Sequence, residues 1–290
     1  MAKKRLFVID GNWYLHRVFH TLKTSRPIED VLPMNFLQLV LKDACAVRAT
    51  HILVAFDGPK VFRYDVYPLY KANRSEKEKK GVDEDGEGGQ DVYSCLPQVR
   101  DLFAKCGLTL VQHKKYEADD FWASAAVQYS GQGFIVVGGG KDKDGYQVLG
   151  EHIKLYDSSA KPEPRWITAD VAEKSKGVPV AKMVMYQTLL GDAIDNIPKI
   201  LTPAKARAIC LKFKTIKEAL QNAEPEIRKI LREKQAQLVI NRQLVELKKD
   251  LALPDVEALK PPKVQLKDMP RSWYAHQELC YPKSKGLFRK

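Results

Sequence analysis

The sequence predicts an α/β fold, a mostly parallel sheet flanked by helices, and three observations carry that expectation. Four short apolar runs, RLFVID, HILVAFD, LTLVQH and GFIVVGGG, alternate with segments of helical spacing. The runs are apolar almost throughout, as strands buried on both faces are. Each leads into carboxylates: Asp10 after the first, Asp57 after the second, Glu117, Asp119 and Asp120 after the third, Asp142 and Asp144 after the fourth. Open parallel sheets bind ligands at the carboxyl ends of their strands. One acid there is a cap or a turn residue, whereas four runs delivering acids to one rim describe a site.

RLFVID is followed by GNWYLHRVFHTL, a helical stretch in which His16 and His20 stand four residues apart and read as a helix face rather than a metal site. Beyond HILVAFD lies a long segment whose middle, KEKKGVDEDGEGGQD, is too polar and glycine-rich to hold a core. LTLVQH enters YEADDFWASAAV, where acids in a first turn cap free N–H groups and suit the helix dipole. Composition gives no account of the three glycines in GGGKDKD. HIKLYD and RWITA read as two further strands joined by the turn-rich SSAKPEP. VAKMVMYQTLLGD is helical, and Asp192 and Asp195 in GDAIDN, taken alone, read as an Asx-type turn before Pro198. In KILTPAKARAICLKFK, Thr202 and Pro203 have the form of a helix start, N-cap then first position. Residues 216–250 form a helix or a helix pair. The tail after LALP has weak periodicity, and there is no internal repeat.

The chain has 290 residues, 44% hydrophobic and 29% charged, enough for a substantial globular core. Its net charge of +12 points to a polyanionic partner. No apolar run reaches the ~18–20 residues of a membrane span, and the N-terminus has no cleavable signal pattern. Cys45, Cys95, Cys106, Cys210 and Cys280 are scattered with no C-x-x-C pair, which favours a reducing compartment over zinc or a disulfide framework. The expectation is a cytoplasmic protein with no membrane partner.

Crowded ionised acids repel and raise one another's pKa, a penalty that divalent cations remove. Mg²⁺ takes oxygen ligands, and two such ions ~3.5–4 Å apart can activate a water and stabilise the leaving oxygen of a phosphodiester. That chemistry asks for many Asp and Glu, few His and a basic surface, all of which this chain has.

The ordered set VIDGN, AFD, FRYDVYPLYKANR, YEADD, KDKDGYQVL and GDAIDNIP resembles the 5′-nuclease family of flap endonucleases and 5′–3′ exonucleases, over roughly residues 1–250. The resemblance implies a PIN-like core over 1–180 with an arch-like insertion at about 71–98, a helix–turn–helix-type duplex-binding region over 181–250, and an extension over 251–290. It implies two Mg²⁺ or Mn²⁺ ions held by nine acids: Asp10, Asp57, Glu117, Asp119 and Asp120 as a first group, Asp142, Asp144, Asp192 and Asp195 as a second. Lys71 and Arg74 would reach the scissile phosphate, as catalytic residues beside Asp142 and Asp144, and Tyr70 would stack on the DNA. Arg17 on the first helix, and Thr202, Lys205 and Arg207, would contact DNA too, with Lys212 and Lys214 adding charge.

The sequence departs from the family at the duplex-binding turn. KILTP has no Gly-x-Gly, which puts the family's K⁺ site in doubt, although a helix N-terminus can still receive a phosphate. The implied function is a free-standing, structure-specific 5′ nuclease, flap endonuclease and 5′–3′ exonuclease, removing flaps or RNA primers in DNA replication or repair as a monomer. Its partner would be flapped, nicked or RNA-primed duplex, with a single-stranded-DNA-binding protein or a polymerase as further candidates. A PIN-type ribonuclease and a non-catalytic DNA-structure binder are the alternatives.

Overall fold

A computed structural model describes residues 4–22, 27–73, 92–163 and 165–260. The strands are β1 (Arg5–Asp10), β2 (His51–Phe56), β3 (Thr109–Gln112), β4 (Ile135–Gly139), β5 (Ile153–Asp157) and β6 (Arg165–Ile167). They form one six-stranded sheet in the order β3-β2-β1-β4-β5-β6, parallel throughout except for the antiparallel pairing of β5 with β6. Chain order reverses between β1 and β4, so the crevice at their carboxyl ends is a topological switch point. The mostly parallel sheet and the two extra short strands are as the sequence predicts.

β1 shows how the alternation is used. Phe7 and Ile9 face one core, with α1 (Gly11–Thr21), α2 (Ile28–Ala46) and, beyond α3 (Phe62–Val66), α4 (Leu96–Lys105). Leu6 and Val8 face the other, beneath α5 (Ala118–Ser130). Val8 sits in register with Leu53 on one side and Gly138 on the other.

The glycines that composition left unexplained are a packing solution. A Cβ on Gly138 would lie 2.6 Å from Leu155 Cδ2 and 3.0 Å from the Trp122 ring, and one on Gly139 would lie 2.7 Å from the Tyr14 hydroxyl. Two aromatic side chains thus close on β4 from opposite faces. Gly140, at φ +133°, then turns the chain into the Asp142 loop in a conformation other residues resist.

After β6 the chain is helical: α6 (Ala169–Lys176), α7 (Met183–Leu190), α8 (Pro203–Lys212), α9 (Ile216–Asn222), α10 (Pro225–Glu233) and α11 (Gln235–Val245). Residues 216–250 therefore hold three short helices, not one or two. Pro225 occupies the first turn of α10 and cannot continue α9, and Lys234 breaks α10 from α11 at φ −104°, ψ 20°. Among the described residues no helix is long and apolar enough to cross a membrane.

Of the segment expected as an arch, 74–91 lies outside the described residues. Residues 92–98 are helical, with Val92 and Cys95 buried beside α2. Of the extension expected over 251–290, 261–290 lies outside the described residues. Residues 248–254 lie along α5, where Ser124 Oγ donates to the Lys248 carbonyl at 3.0 Å and Gln128 Nε2 to that of Leu251 at 2.9 Å. Residues 256–259 lie against β2 and β3, where Thr109 Oγ1 donates to the Ala258 carbonyl at 2.5 Å; Leu251 and Leu259 are buried.

Candidate active site

The end of each central strand places an acid. Asp10 closes β1 and caps α1, its Oδ1 accepting from the Asn12 and Trp13 N–H groups at 2.9 and 3.1 Å. Asp57 follows β2 and accepts from the Ala118 N–H at 2.8 Å, which fixes the start of α5 beside it. Asp119 lies in the first turn of α5. Asp142 and Asp144 follow β4, with the Asp144 N–H donating to Asp142 Oδ1 at 2.9 Å.

Asp192 and Asp195 come from a loop pinned by its own backbone. Asp192 and Ile197 exchange bonds in both directions, at 2.9 and 2.7 Å, and the turn begins at Gly191, φ +67°, where a Cβ would lie 2.5 Å from the Pro198 carbonyl. The Asx geometry anticipated there exists, since Asp192 Oδ1 accepts from the Ile194 N–H at 2.9 Å. It also carries both acids to the cleft.

Asp10, Asp119, Asp142, Asp144, Asp192 and Asp195 line one cleft of about 400 Å³. Burial pushes the Asp10 carboxyl up to about 7, the Asp57 charge adding to it against the pull of the Trp13 N–H. Burial, then Asp142, raises Asp144 to about 8, and burial with Asp142 and Asp10 lifts Asp119 well above the usual carboxylate range. These are acids that need counter-charge to ionise together. Asp144, Asp192 and Asp195 each offer an oxygen, all within 4.8 Å of one another. An all-oxygen donor set under mutual repulsion fits a hard divalent cation. Lys143 reaches in as a partial counter-ion, 2.7 Å from Asp192.

The remaining acids do different work. Asp120, expected among the metal-holding group, is completely buried, and Arg63 takes both its oxygens, at 2.7 and 2.8 Å. The N–H groups of Glu117 and Lys248 also donate to it, at 3.1 and 3.0 Å. With its lone pairs so occupied, Asp120 anchors rather than coordinates. Glu117, expected in the same group, pairs with Arg63 at 2.9 Å and with Lys71 Nζ. Burial opposes the charge on Arg63, but the Asp120 bonds outweigh it and hold the guanidinium protonated.

Tyr70, expected to stack on DNA, is 3% exposed and has no free ring face to offer. Its hydroxyl instead lies 3.1 Å from Glu117 Oε2 and 3.2 Å from Asp195 Oδ2, a single proton serving two acids. Lys71, at φ +55°, donates its backbone N–H to the Asp195 carbonyl at 2.9 Å. The root of the arch-like segment is thereby stitched to both acid groups. Arg74 lies outside the described residues.

Arg17 donates to Ser158 Oγ at 2.6 Å and its guanidinium lies 5.4 Å from the Trp13 ring centroid. Thr202 and Pro203 do begin α8, though the Thr202 side chain makes no capping bond. Lys205 pairs with Glu226 at 2.7 Å, Lys212 stands 3.6 Å from Glu224, and Arg207 lies against Gly177. His16 packs on His20 and on Tyr93, outside the acid cleft.

Besides Lys143, two polar residues at the site were missed from sequence. Arg63 is the hub just described, its Nε also donating to the Leu244 carbonyl at the end of α11, at 2.8 Å. Gln187 donates to Asp144 Oδ1 at 2.6 Å. Each is a buried polar side chain in a short helical stretch with one other non-aromatic polar residue, Asp65 in FRYDV and Thr188 in MVMYQTLL, and a polar group amid apolar neighbours was the available signal.

The family model described as 5′-3′ exonuclease, N-terminal resolvase-like domain, matches residues 5–176. DNA polymerase I of Rhizobium leguminosarum is 31% identical over 274 residues, 88% of this chain and 26% of the polymerase, so the chain spans about a quarter of that relative. The 5′-3′ exonuclease of Aquifex aeolicus is 28% identical over 254 residues, 86% of this chain and 83% of that protein. Among solved structures, the bacteriophage T5 flap endonuclease, crystallised with DNA and metal ions, superposes with a TM-score of 0.70 at 20% identity, covering 83% of this chain and 89% of that one. At that identity the likeness speaks to the fold.

Proposed function

Because the chain belongs to the 5′-3′ exonuclease family, we propose that it is a metal-dependent, structure-specific 5′ nuclease. It hydrolyses phosphodiesters near the junction of a 5′ single strand and a duplex, as in removal of flaps or RNA primers during replication. The observation that carries the reading is the convergence of six carboxylates on one cleft, from the end of β1, the first turn of α5, the loop after β4 and the Gly191–Pro198 loop.

Asp144, Asp192 and Asp195, on one side, and Asp10, Asp119 and Asp142, on the other, are the residues that would hold two Mg²⁺ or Mn²⁺ ions. Bound there, such ions supply an activated water and charge stabilisation at the leaving oxygen. The protein's own groups do the positioning. Asp57 sets the first turn of α5 through Ala118, Gln187 aims Asp144, and Arg63 and Tyr70 orient Glu117. Lys71, bonded to Glu117 and, through its backbone N–H, to the carbonyl of the cleft residue Asp195, would meet the charge developing on the phosphate.

Duplex phosphates would be received by the α8 start at Thr202 and Pro203 with Lys205 and Arg207. A cytoplasmic setting suits the free thiols of Cys45, Cys106 and Cys210.

The test is a 5′-flap DNA incubated with the protein and Mg²⁺, beside an EDTA control and the Asp142→Ala variant. A short 5′ product cut near the junction, lost in both controls while Asp142→Ala still binds the DNA, is the expected outcome. Equal rates for Asp142→Ala and the unaltered protein would overturn the assignment of the acids.

A further inference from the structure

Val8, Trp122, Leu155 and Tyr146 line the acidic cleft as part of the core beneath α5, but two further apolar side chains at the cleft are not part of that core. Trp13 lines the cleft from α1 and Ile194 from the opposing Gly191–Pro198 loop. Ile194 is 60% exposed, sits between two of the site's acids, and belongs to none of the buried clusters among the described residues. A large aliphatic side chain left in water at the mouth of a charged cleft gains nothing from the fold by being there. Trp13 is half-buried, one part packed on the core and the Tyr14 ring edge-on at 5.2 Å, with the Arg17 guanidinium near its ring. Its backbone N–H is bound to Asp10 Oδ1, so the indole is rooted on an acid of the site.

Resting on the nuclease reading above, we infer that Trp13 and Ile194 form a nucleobase subsite, gripping the base of one nucleotide that flanks the cut phosphodiester. The phosphate itself gives an isoleucine nothing to pack on and engages an indole only through its Nε1–H, not its ring face. The base attached one sugar away is a flat apolar face of the right chemistry, and the cleft that would take the phosphate is continuous with both side chains. Tyr70 is buried with its hydroxyl on two carboxylates, so the stacking role expected of it passes to Trp13. Stacking on an aromatic side chain is tolerant of base identity, which suits an enzyme that reads structure and not sequence.

The experiment is a cycle between protein and substrate. Flap DNAs with the base deleted at either nucleotide beside the cut are compared with the intact flap, using the unaltered protein, Ile194→Ser, Trp13→Leu and Trp13→Phe. Base–aromatic stacking of ~1–3 kcal/mol predicts that the unaltered protein loses roughly 5- to 150-fold in kcat/KM when the base is missing at one of the two positions. Trp13→Leu and Ile194→Ser should already be slow on the intact flap and lose less than about 3-fold more from base deletion, while Trp13→Phe keeps most of the discrimination. Ile194, being exposed, can be changed without cost to the core, so the cycle survives a Trp13→Leu variant that folds poorly.

Base deletion without effect on the unaltered protein, or the same loss in every variant, would overturn the subsite. Absence of any cleavage of the intact flap, with Mg²⁺ or Mn²⁺, would instead remove the nuclease reading. The same cycle measured by equilibrium binding in Ca²⁺ then still decides whether the base is gripped.

Discussion

Arg63 and Asp120 form a sealed two-bond pair, 2.7 and 2.8 Å, with side chains 1% and 0% exposed. The pair sits where three parts of the chain meet: the helix before the arch-like segment, the acid-bearing start of α5, and the end of α11 through Leu244. Removing one partner of a buried ion pair strands the other charge, at about 3–5 kcal/mol. Arg63→Ala should therefore lose about that much in urea unfolding. Arg63→Met combined with Asp120→Leu should recover only part of it, because the Glu117 carboxylate and the Glu117 and Lys248 N–H groups lose partners too. A loss below about 1 kcal/mol for Arg63→Ala would show that water reaches the joint.

The raised acids make the metal-free protein sensitive to alkali. Asp10 and Asp144 sit at about 7 and about 8 against an ordinary 3.8 in the unfolded chain. Between pH 4 and 8 the folded state therefore holds protons that the unfolded state has released. Stability must fall as pH rises through that window. Asp144→Asn removes one such group, so in EDTA its Tm should exceed that of the unaltered protein at pH 8 and converge with it near pH 4. Parallel profiles would contradict the crowding of the acids.

Divalent ions should reverse the effect by displacing those protons. Binding of Mn²⁺, followed by calorimetry in two buffers of different ionisation enthalpy at pH 7, should release protons and tighten as pH rises from 6 to 8. A buffer-independent heat would mean that the carboxylates are already ionised before the ion arrives.

Lys71 is tied to Glu117 and to the backbone of Asp195, one of the acids lining the cleft. Lys71→Met should slow single-turnover cleavage by roughly 10²–10³, the usual cost of one donor aimed at developing charge, with DNA affinity changed far less. A loss confined to affinity would make Lys71 a binding residue only.

Gly138 tests the packing account of β4. Gly138→Ala places a methyl 2.6 Å from Leu155 and 3.0 Å from Trp122, so unfolding should show a loss of about 1–3 kcal/mol from overpacking. An unaffected midpoint would mean that Trp122 yields without cost.

The sheet was legible because its evidence is local. Four apolar runs of strand length, each ending in acids, have few other foldings, and the acids arrive at one rim because parallel strands share a direction. The start of α8 at Thr202 and Pro203 was legible for the same reason, since caps are written in adjacent residues. The helix count in 216–245 was half legible: Pro225 marks one break, but Lys234 carries no breaker chemistry.

The division of labour among the acids was not legible. Asp119 and Asp120 are neighbours of identical chemistry, yet one faces the cleft and the other is sealed beneath Arg63, because successive side chains on a helix point about 100° apart. Tyr70 has the composition of an exposed stacker and is buried, since its hydroxyl found two carboxylates from distant segments. By itself the sequence determined the fold class, the acid inventory and the rim on which the acids gather, all properties of short-range pattern and strand direction. Only the tertiary structure decided which acids face a cation, which anchor a cation of the protein's own, and which apolar side chains share their cleft. Those assignments depend on what lies across space from each carboxylate, and for Asp120 that partner is 57 residues away in the chain.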